Sequence, residues 1–299
     1  MDVSVIIVNY NTLRMVEDCI RSIKEHTVGC TYEIILVDNA SSDGSVEYFS
    51  KVDDILFLSL SENIGFGKAN NVGVQKARGK YLFFLNSDTY LCNNAIKLFF
   101  DYLENVNDSV GAVGSLLLNP DREPAHSFGS FPTIGKSLSI YFISPIYKIM
   151  GKRYSTMDDL TLVRKDPFNV DYVTGADLFV SKELLTEYGS FDPDFFMYFE
   201  ETELQYRLSR NGYPSRILTG PEIVHMEGAS LKKKAGKRNL NKMFMNQHSQ
   251  FVYFKKTRSV FAYYSFRALL FIVRIPFLLF AGLTSNQRKK YFYLLISKI

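Results

Sequence analysis

The feature that most constrains this chain is an alternation. Four short runs rich in β-branched, leucine and aromatic residues, Val3–Val8, Glu33–Val37, Ile55–Leu60 and Tyr81–Leu85, are separated by segments whose apolar residues recur at helical spacing. Leu13, Val16, Ile20 and Ile23 form one such stripe, with Asn11 or Thr12 placed to cap its helix. A second helix follows Gly67 and a third covers Ala95–Glu104. This order is that of βαβ units and predicts an α/β fold, a largely parallel central sheet flanked by helices. Polar segments follow the runs: Asn9-Tyr10-Asn11, Asp38 to Gly44, Asn63 to Gly67, and Asn86-Ser87-Asp88. Ligands of open parallel sheets bind outside the carboxyl ends of the strands, so these four loops should meet on one rim. Residues 110–230 read as mixed strand and loop with one clear helix, which starts near Glu200, carries the stripe Leu204 and Leu208, and ends at Asn211-Gly212.

Charge divides the chain. The net +4 combines 31 acidic residues, all at or before Glu227, with 35 lysines and arginines, of which 15 follow it. An acid-free basic tail seeks an anionic partner. The tail's aromatics lie among Leu and Ile rather than between its basic residues, which favours lipid over nucleic acid. Cys19, Cys30 and Cys92 show no CxxC spacing, arguing against a disulfide framework or zinc cluster. With an acid at Asp2 and no basic n-region, the start of the sequence does not resemble a secretory signal, and a cytoplasmic location is expected.

The tail opens with a KKKAGKR run at Lys232–Arg238, followed by a helix around Asn241–Lys256 and an apolar stretch from Val260 to Leu283. Arg267 and Arg274 interrupt that stretch and Pro276 would kink it. Seven residues apart, the arginines share one helical face, which suits a helix lying in a membrane interface better than one spanning it; a packing or dimer element is the other reading. The expected organisation is a catalytic domain over 1–230, divided into a nucleotide-binding half (1–118) and an acceptor half (119–230), with a helical, membrane-associating tail over 231–299. That tail would hold the protein peripherally at the inner face of the cell membrane.

The ordered motifs VSVIIVNYN, VDNASSDGS, NIGFGKANNVG, FLNSDT, TGADLFV, GSFDPDFFMYFEETEL and HMEGAS resemble glycosyltransferase family two, particularly its rhamnosyltransferase-like branch. The resemblance implies a GT-A fold, an inverting mechanism and a divalent metal, Mg2+ or Mn2+. It implies a nucleoside-diphosphate sugar donor, dTDP- or UDP-linked, and a glycan or polyprenyl-diphosphate-linked acceptor. Asn9, Tyr10 and Asp38 then fall in the nucleotide-donor site, with Asp38 the reader of the base; a strand-end turn with Asn39 is the plainer role for Asp38. Asn63 and Gly65 open a loop in which Lys68 meets phosphate. A dinucleotide fingerprint fails there, because Asn70 stands where the third glycine belongs.

Asn86-Ser87-Asp88 takes the place of the family's DxD-like motif, with Asp88 the expected metal ligand and Asn86 offering only a neutral oxygen or facing ribose. Asp88 as the N-cap of the following helix is the structural alternative. His225 matches a late histidine that binds metal or diphosphate; His26, His126 and His248 remain unassigned. Gly175, Ala176 and Asp177 resemble the block shaping the donor-sugar and acceptor site, with Asp177 on a sugar hydroxyl or stabilising a loop.

Inverting transfer needs a general base. Glu201 stands where the family's Glu-Asp pair has its Asp, with Glu200 the alternative base and Glu203 a similar replacement two residues on. An acidic first turn complementing the helix dipole is the plain reading of all three. Processive members carry a Gln-x-x-Arg-Trp motif, and this chain has no tryptophan, so single-sugar addition in surface polysaccharide biosynthesis is expected. A catalytically weak or inactive nucleotide-sugar-binding assembly partner is the alternative, and a nucleotidyltransferase on the same sheet would not account for the Glu-Glu helix.

Overall fold

The four runs become neighbouring parallel strands: β1 (Val3–Asn9), β2 (Tyr32–Asp38), β3 (Leu56–Ser59) and β4 (Tyr81–Asn86), in the order β3-β2-β1-β4. The computed structural model describes residues 1–139, 166–226 and 240–297. These form two compact units, one of residues 1–130, 166–196 and 200–226, the other of residues 131–139, 197–199 and 240–297. The Lys232–Arg238 run lies outside the described residues.

Further strands are β5 (Thr89–Leu91), β6 (Ala112–Ser115), β7 (Phe128–Gly129), β8 (Phe168–Val170), β9 (Tyr172–Val173), β10 (Asp177–Ser181), β11 (Ser215–Leu218) and β12 (Ile223–His225). The main sheet has eight strands and continues from β4 through β10, β6, β11 and β8. β10 runs antiparallel to both its neighbours, β6 and β11 are parallel, and β8 is antiparallel to β11. Two small antiparallel pairs, β5 with β12 and β7 with β9, complete the first unit's strands.

Helices cover both faces: α1 (Leu13–His26), α2 (Ser45–Phe49), α3 (Phe66–Lys76), α4 (Ala95–Asn105), α5 (Lys182–Tyr188) and α6 (Glu200–Arg210). Successive residues of a strand point to opposite faces. Val3, Val5 and Ile7 therefore pack with Val16, Ile20 and Ile23 of α1 and Ile96 and Phe99 of α4, whereas Ile6 and Val8 pack with Ala69 of α3, Leu185 of α5 and Leu204 and Leu208 of α6. Burial on both faces is why β1 reads as a continuous apolar run. Cys19 is buried in the first layer, and burial pushes its thiol up to about 12.

The second unit contains α7 (Leu240–Thr257), α8 (Val260–Phe280) and α9 (Ser285–Ile296). Aromatic contacts join them: Phe254 and Phe266 ring centroids are 4.6 Å apart, and Phe244 stacks on Tyr291 at 5.1 Å. Thr284 and Gln287 form a capping box at the start of α9. The helix α8 runs through Pro276. Its arginines do not point where an interfacial helix would send them. Arg267 is buried, donates to Leu295 O at 2.6 Å and Tyr263 Oη at 3.0 Å, and stacks on the Phe251 ring. Arg274 stacks on Phe277 and Tyr291. The guanidinium of Arg267 satisfies carbonyls at the C-terminal end of α9, where a cation is favoured. Spacing correctly placed the two arginines together; it carried no information about what their face packs against.

Candidate active site

The register of the parallel strands assembles the rim. Asn9 pairs with Asp38 and Val8 with Asn86, so the carboxyl ends of β1, β2 and β4 finish level. Asn9 is fully buried, and both ends of its amide are engaged within the protein. Its Nδ2 donates to Asp38 Oδ2 at 2.7 Å and Ser41 Oγ at 3.2 Å, and its Oδ1 accepts from the Thr12 amide and hydroxyl. The Thr12 hydroxyl lies 3.0 Å from that of Ser87, linking the first loop to the fourth. Thr12 occupies the N-cap position of α1, but its hydroxyl turns to Asn9, and Asp43 Oδ2 accepts from Leu13 N instead. Tyr10 is half exposed beside Asn9, which suits an aromatic ring open to a ligand.

Asp38 is buried and accepts from Ser41 N at 2.8 Å as well as from Asn9. The local turn that a strand-end Asp favours is thus present. Asn39, expected only to complete a turn, ties this loop to the next. Its Nδ2 donates to Asn63 Oδ1 at 3.1 Å and its Oδ1 accepts from Ile64 N at 2.9 Å. Gly65 has φ +92° and approaches backbone rather than open space: a Cβ there would lie 2.3 Å from Phe196 O, to which Phe66 N donates at 2.9 Å. Lys68 is exposed one turn into α3. Asn71 on the same helix holds the segment before α6, donating to Phe191 O and accepting from Ser190 Oγ, both at 2.7 Å.

The fourth loop meets β12. Pairing of Thr89 with His225 brings His225 Nε2 to 3.2 Å from Asp88 Oδ1 and 3.5 Å from Asn86 Nδ2. Asp88 and Asn86 therefore face the late histidine, and the helical cap is not the geometry adopted by Asp88, which precedes β5. Among the described residues no group of three or more His, Cys, Asp or Glu side chains converges into a metal cage. The donor set nevertheless fits a hard or borderline divalent ion. Adjacent ligands on an octahedral ion with bonds of about 2.1 Å are about 3 Å apart, close to the separation of Asp88 and His225, and diphosphate and water oxygens can fill the remaining positions.

Behind this pair, Ala176 O accepts from Asn86 N at 2.9 Å. Asp177 is fully buried, and its Oδ2 accepts from the amide and hydroxyl of Ser115, both at 2.6 Å, while Oδ1 is buried with no hydrogen-bond partner among the described residues. Burial pushes its pKa up to about 7 against the opposing influence of the Ser115 bonds and His225. Of its two expected roles, the loop-stabilising one has its partner in place.

The carboxylates of α6 divide by environment. Glu200 is buried against Gly67, with Oε2 lacking a partner among the described residues, and burial followed by the neighbouring Glu201 raises its pKa well above the usual range. Glu201 is partly exposed, its Oε1 lies 3.4 Å from Thr202 Oγ1, and burial raises its pKa too. Gly175 faces Glu201: a Cβ on the glycine would sit 3.6 Å from Glu201 Cβ and Cγ, within ordinary contact. Glu203 is committed elsewhere, in a two-pronged pair with Arg207, which also donates to Gly189 O and Ser190 O. Gln205, unassigned from the sequence, is fully buried and bonds both backbone groups of Val173 at 2.7 Å, so it fixes α6 to the strand two residues before Gly175. Just before α6, Tyr198 and Phe199 have φ of +71° and +68°. Consecutive left-handed conformations are costly for residues other than glycine.

Comparison with known proteins bears on the fold and the family. A solved structure of GalNAc-T7 with UDP, GalNAc and Mn2+ superposes with a TM-score of 0.58 at 16% identity, covering 85% of this chain and 48% of that one. The fold is GT-A. The low-salt glycan biosynthesis hexosyltransferase Agl10 of Haloferax volcanii is 25% identical over 214 residues, 70% of this chain and 62% of that protein's length. The dTDP-rhamnosyl transferase RfbF of Shigella flexneri is 24% identical over 237 residues, 77% of this chain and 71% of that relative. The family model for glycosyl transferase family 2 matches residues 4–170, a span that includes all four rim loops. With more than half its length under that model and the rim built as described, the chain belongs to glycosyl transferase family 2.

Proposed function

We propose that the protein is an inverting, metal-dependent glycosyltransferase that moves a single sugar from a dTDP- or UDP-linked donor, with rhamnose the leading candidate, onto a glycan or polyprenyl-diphosphate-linked acceptor of surface polysaccharide synthesis. The observation that carries this reading is the placement of the partly exposed Glu201 opposite Gly175, in the same unit as the Asp88–His225 pair. The relative named as a dTDP-rhamnosyl transferase supports the sugar and the nucleotide. The neighbour solved with UDP and Mn2+ supports the metal.

In this reading Asp38, held by Asn9 and Ser41, takes an N–H of the pyrimidine, and Tyr10 lies over the base. Asn63 and Lys68 approach the phosphates, and Ser87 borders the diphosphate. Asp88 and His225, with the Asn86 amide oxygen, would hold Mg2+ or Mn2+, and the bound ion would supply positive charge where the leaving diphosphate gathers negative charge. Glu201 accepts the acceptor hydroxyl's proton as the new bond forms at the anomeric carbon and the bond to diphosphate breaks, its electron pair leaving with the diphosphate. Gly175 and Ala176 leave room for the two sugars, and Asp177 braces the strand behind them. Burial and the neighbouring Glu201 raise the pKa of Glu200, which opposes a second negative charge beside the base. The catalytic domain of residues 1–230 works in the cytoplasm, with the 231–299 tail holding it at the inner face of the membrane.

Thermal unfolding against UDP, dTDP, GDP and CDP, each with and without Mn2+, tests the donor site. A ligand at a hundred times its dissociation constant adds about 2.7 kcal/mol of stability. A metal-dependent shift with one pyrimidine diphosphate, abolished in Asp88→Ala, is expected, and the matching nucleotide sugar should then be consumed in the presence of acceptor. Binding without turnover would favour the inactive assembly partner, a reading that the Glu-Glu sequence in place of Glu-Asp keeps in view. No shift with any nucleotide sinks the donor-site assignment.

A further inference from the structure

We propose that the second unit docks on an anionic lipid bilayer through the outward apolar face of α8 and α9, with the arginines of α8 turned into the protein. This deepens the membrane location proposed above and does not depend on the chemistry of the site.

On α8 the side chains of Phe261, Tyr264, Ile272, Ile275, Leu279 and Phe280 are exposed, Phe261 by 83% and Phe280 by 82%. The first five are separated by three, four or eight residues and share one face, and Phe280, next to Leu279, lies at its edge at the end of the helix. Exposed Phe292, Tyr293 and Ile296 extend the apolar surface on α9. Isolated apolar residues on a surface are ordinary, but a continuous apolar face marks an interaction site. The opposite side of α8 is already occupied: Tyr263, Phe266, Arg267 and Leu270 are buried, and Arg267 is bonded to carbonyls of α9. The 21 residues of α8 are apolar enough to cross a membrane and would extend about 30 Å, but the helices packed on its other side, α7 and α9, carry exposed lysines and an arginine that belong at a headgroup surface rather than in a bilayer core. The free side of α8 can enter the headgroup and upper acyl region, as an interfacial helix does.

Charge selects the occupant. Lys255 and Lys256 at the end of α7, and Arg288, Lys289 and Lys290 in α9, are exposed, and no acidic residue follows Glu227. A second copy of the chain seated on this face would bring like charges together with no acid in the tail to offset them. An anionic bilayer supplies both an apolar interior and a negative surface.

The chain contains no tryptophan, so Phe261→Trp and Phe280→Trp each introduce a single reporter at a position already exposed. On vesicles of phosphatidylglycerol and phosphatidylcholine in equal parts, emission should shift to the blue and the protein should float with the lipid. Vesicles of phosphatidylcholine alone should bind less. Phe261→Ser and Phe280→Ser should each lower the partition coefficient about tenfold while leaving the melting temperature and nucleotide binding unchanged. Arg267→Gln should lower the melting temperature, as removal of a buried helix cap does. Retained flotation in the Ser variants or an unshifted Trp emission overturns the proposal. So does an Arg267→Gln variant that loses lipid binding at unchanged stability. If light scattering instead shows a dimer that the Ser substitutions dissociate, the face is a self-association surface and the bilayer assignment is wrong. Nucleotide binding measured on the same samples reports on the donor site separately.

Discussion

Glu200 and Glu201 are neighbours of identical chemistry, and their surroundings give them different work. Burial and the adjacent carboxylate both oppose ionisation of Glu200, whereas Glu201 is partly exposed and faces Gly175. Glu201→Gln should lower kcat by about a hundredfold to ten-thousandfold while leaving the nucleotide-induced thermal shift intact. Glu200→Gln replaces a neutral acid by a neutral amide of the same shape and should cost far less in turnover, so equal losses in the two variants would contradict the assignment. Because only ionised Glu201 can accept a proton, and burial raises its pKa, kcat should fall on acidification at a pH above the ordinary glutamate value of about 4.3. Glu201→Gln should remove that limb from the pH profile. Gly65 shows the other kind of single-residue constraint. A methyl group there meets Phe196 O at 2.3 Å with φ at +92°, so Gly65→Ala should destabilise by about 2 kcal/mol or more and weaken nucleotide binding by moving the loop that Asn63 begins.

At the scale of elements, the placement of α6 rests on Gln205. Its side chain satisfies Val173 N and O and the Glu201 carbonyl, and accepts from Ser215 Oγ. Gln205→Met keeps the volume and leaves both backbone groups of Val173 without that partner, each at a cost of about 1–3 kcal/mol. Glu201 would then move relative to Gly175, and kcat should fall while KM for the donor nucleotide changes little. Gln205→Glu, which preserves an acceptor for Val173 N, should recover part of the rate; a KM-only effect would show that Gln205 does not position the base. Such a residue was not legible in the sequence, because a glutamine in a helix declares nothing about the strand it will face. The parallel strands were legible because burial on both faces makes each a continuous apolar run. The mixed strands that follow were not, since β6 to β12 have only two to five residues, too few for a period to show. The rim followed from strand order alone, but its interior bracing by Asn39, Asn71 and Ser115 depends on contacts between loops distant in the chain. Arg267 marks the same boundary in the second unit, where periodicity defined a face and packing decided its direction.

For the whole molecule, the burial of carboxyl groups behind the rim links fold stability to pH. An unfolded chain ionises Asp near pH 4, whereas folded Asp177 keeps its proton up to about pH 7. Between those values the folded state binds more protons than the unfolded state, so rising pH favours unfolding. Glu200 and Glu201 act in the same direction, as their folded pKa values are also raised. The three carboxyls should cost nothing below the unfolded values, where both states are protonated, and their full cost should be reached once pH exceeds the folded values. For Asp177 alone the difference of about three pKa units corresponds to as much as about 4 kcal/mol. Asp177→Asn keeps an oxygen to accept from the Ser115 amide and removes the ionisation. Carboxylates with lowered pKa, such as Glu33 and Asp43, act the other way, so the contribution of Asp177 is read as a difference: between about pH 4 and pH 7 the urea midpoint of Asp177→Asn should gain on that of the parent as pH rises. Parallel curves for the two proteins would mean that Asp177 ionises normally in the folded state. In that case it stands at the rim as a charge near His225, and the second reading of this residue, a carboxylate that meets a sugar hydroxyl, would gain over the structural one.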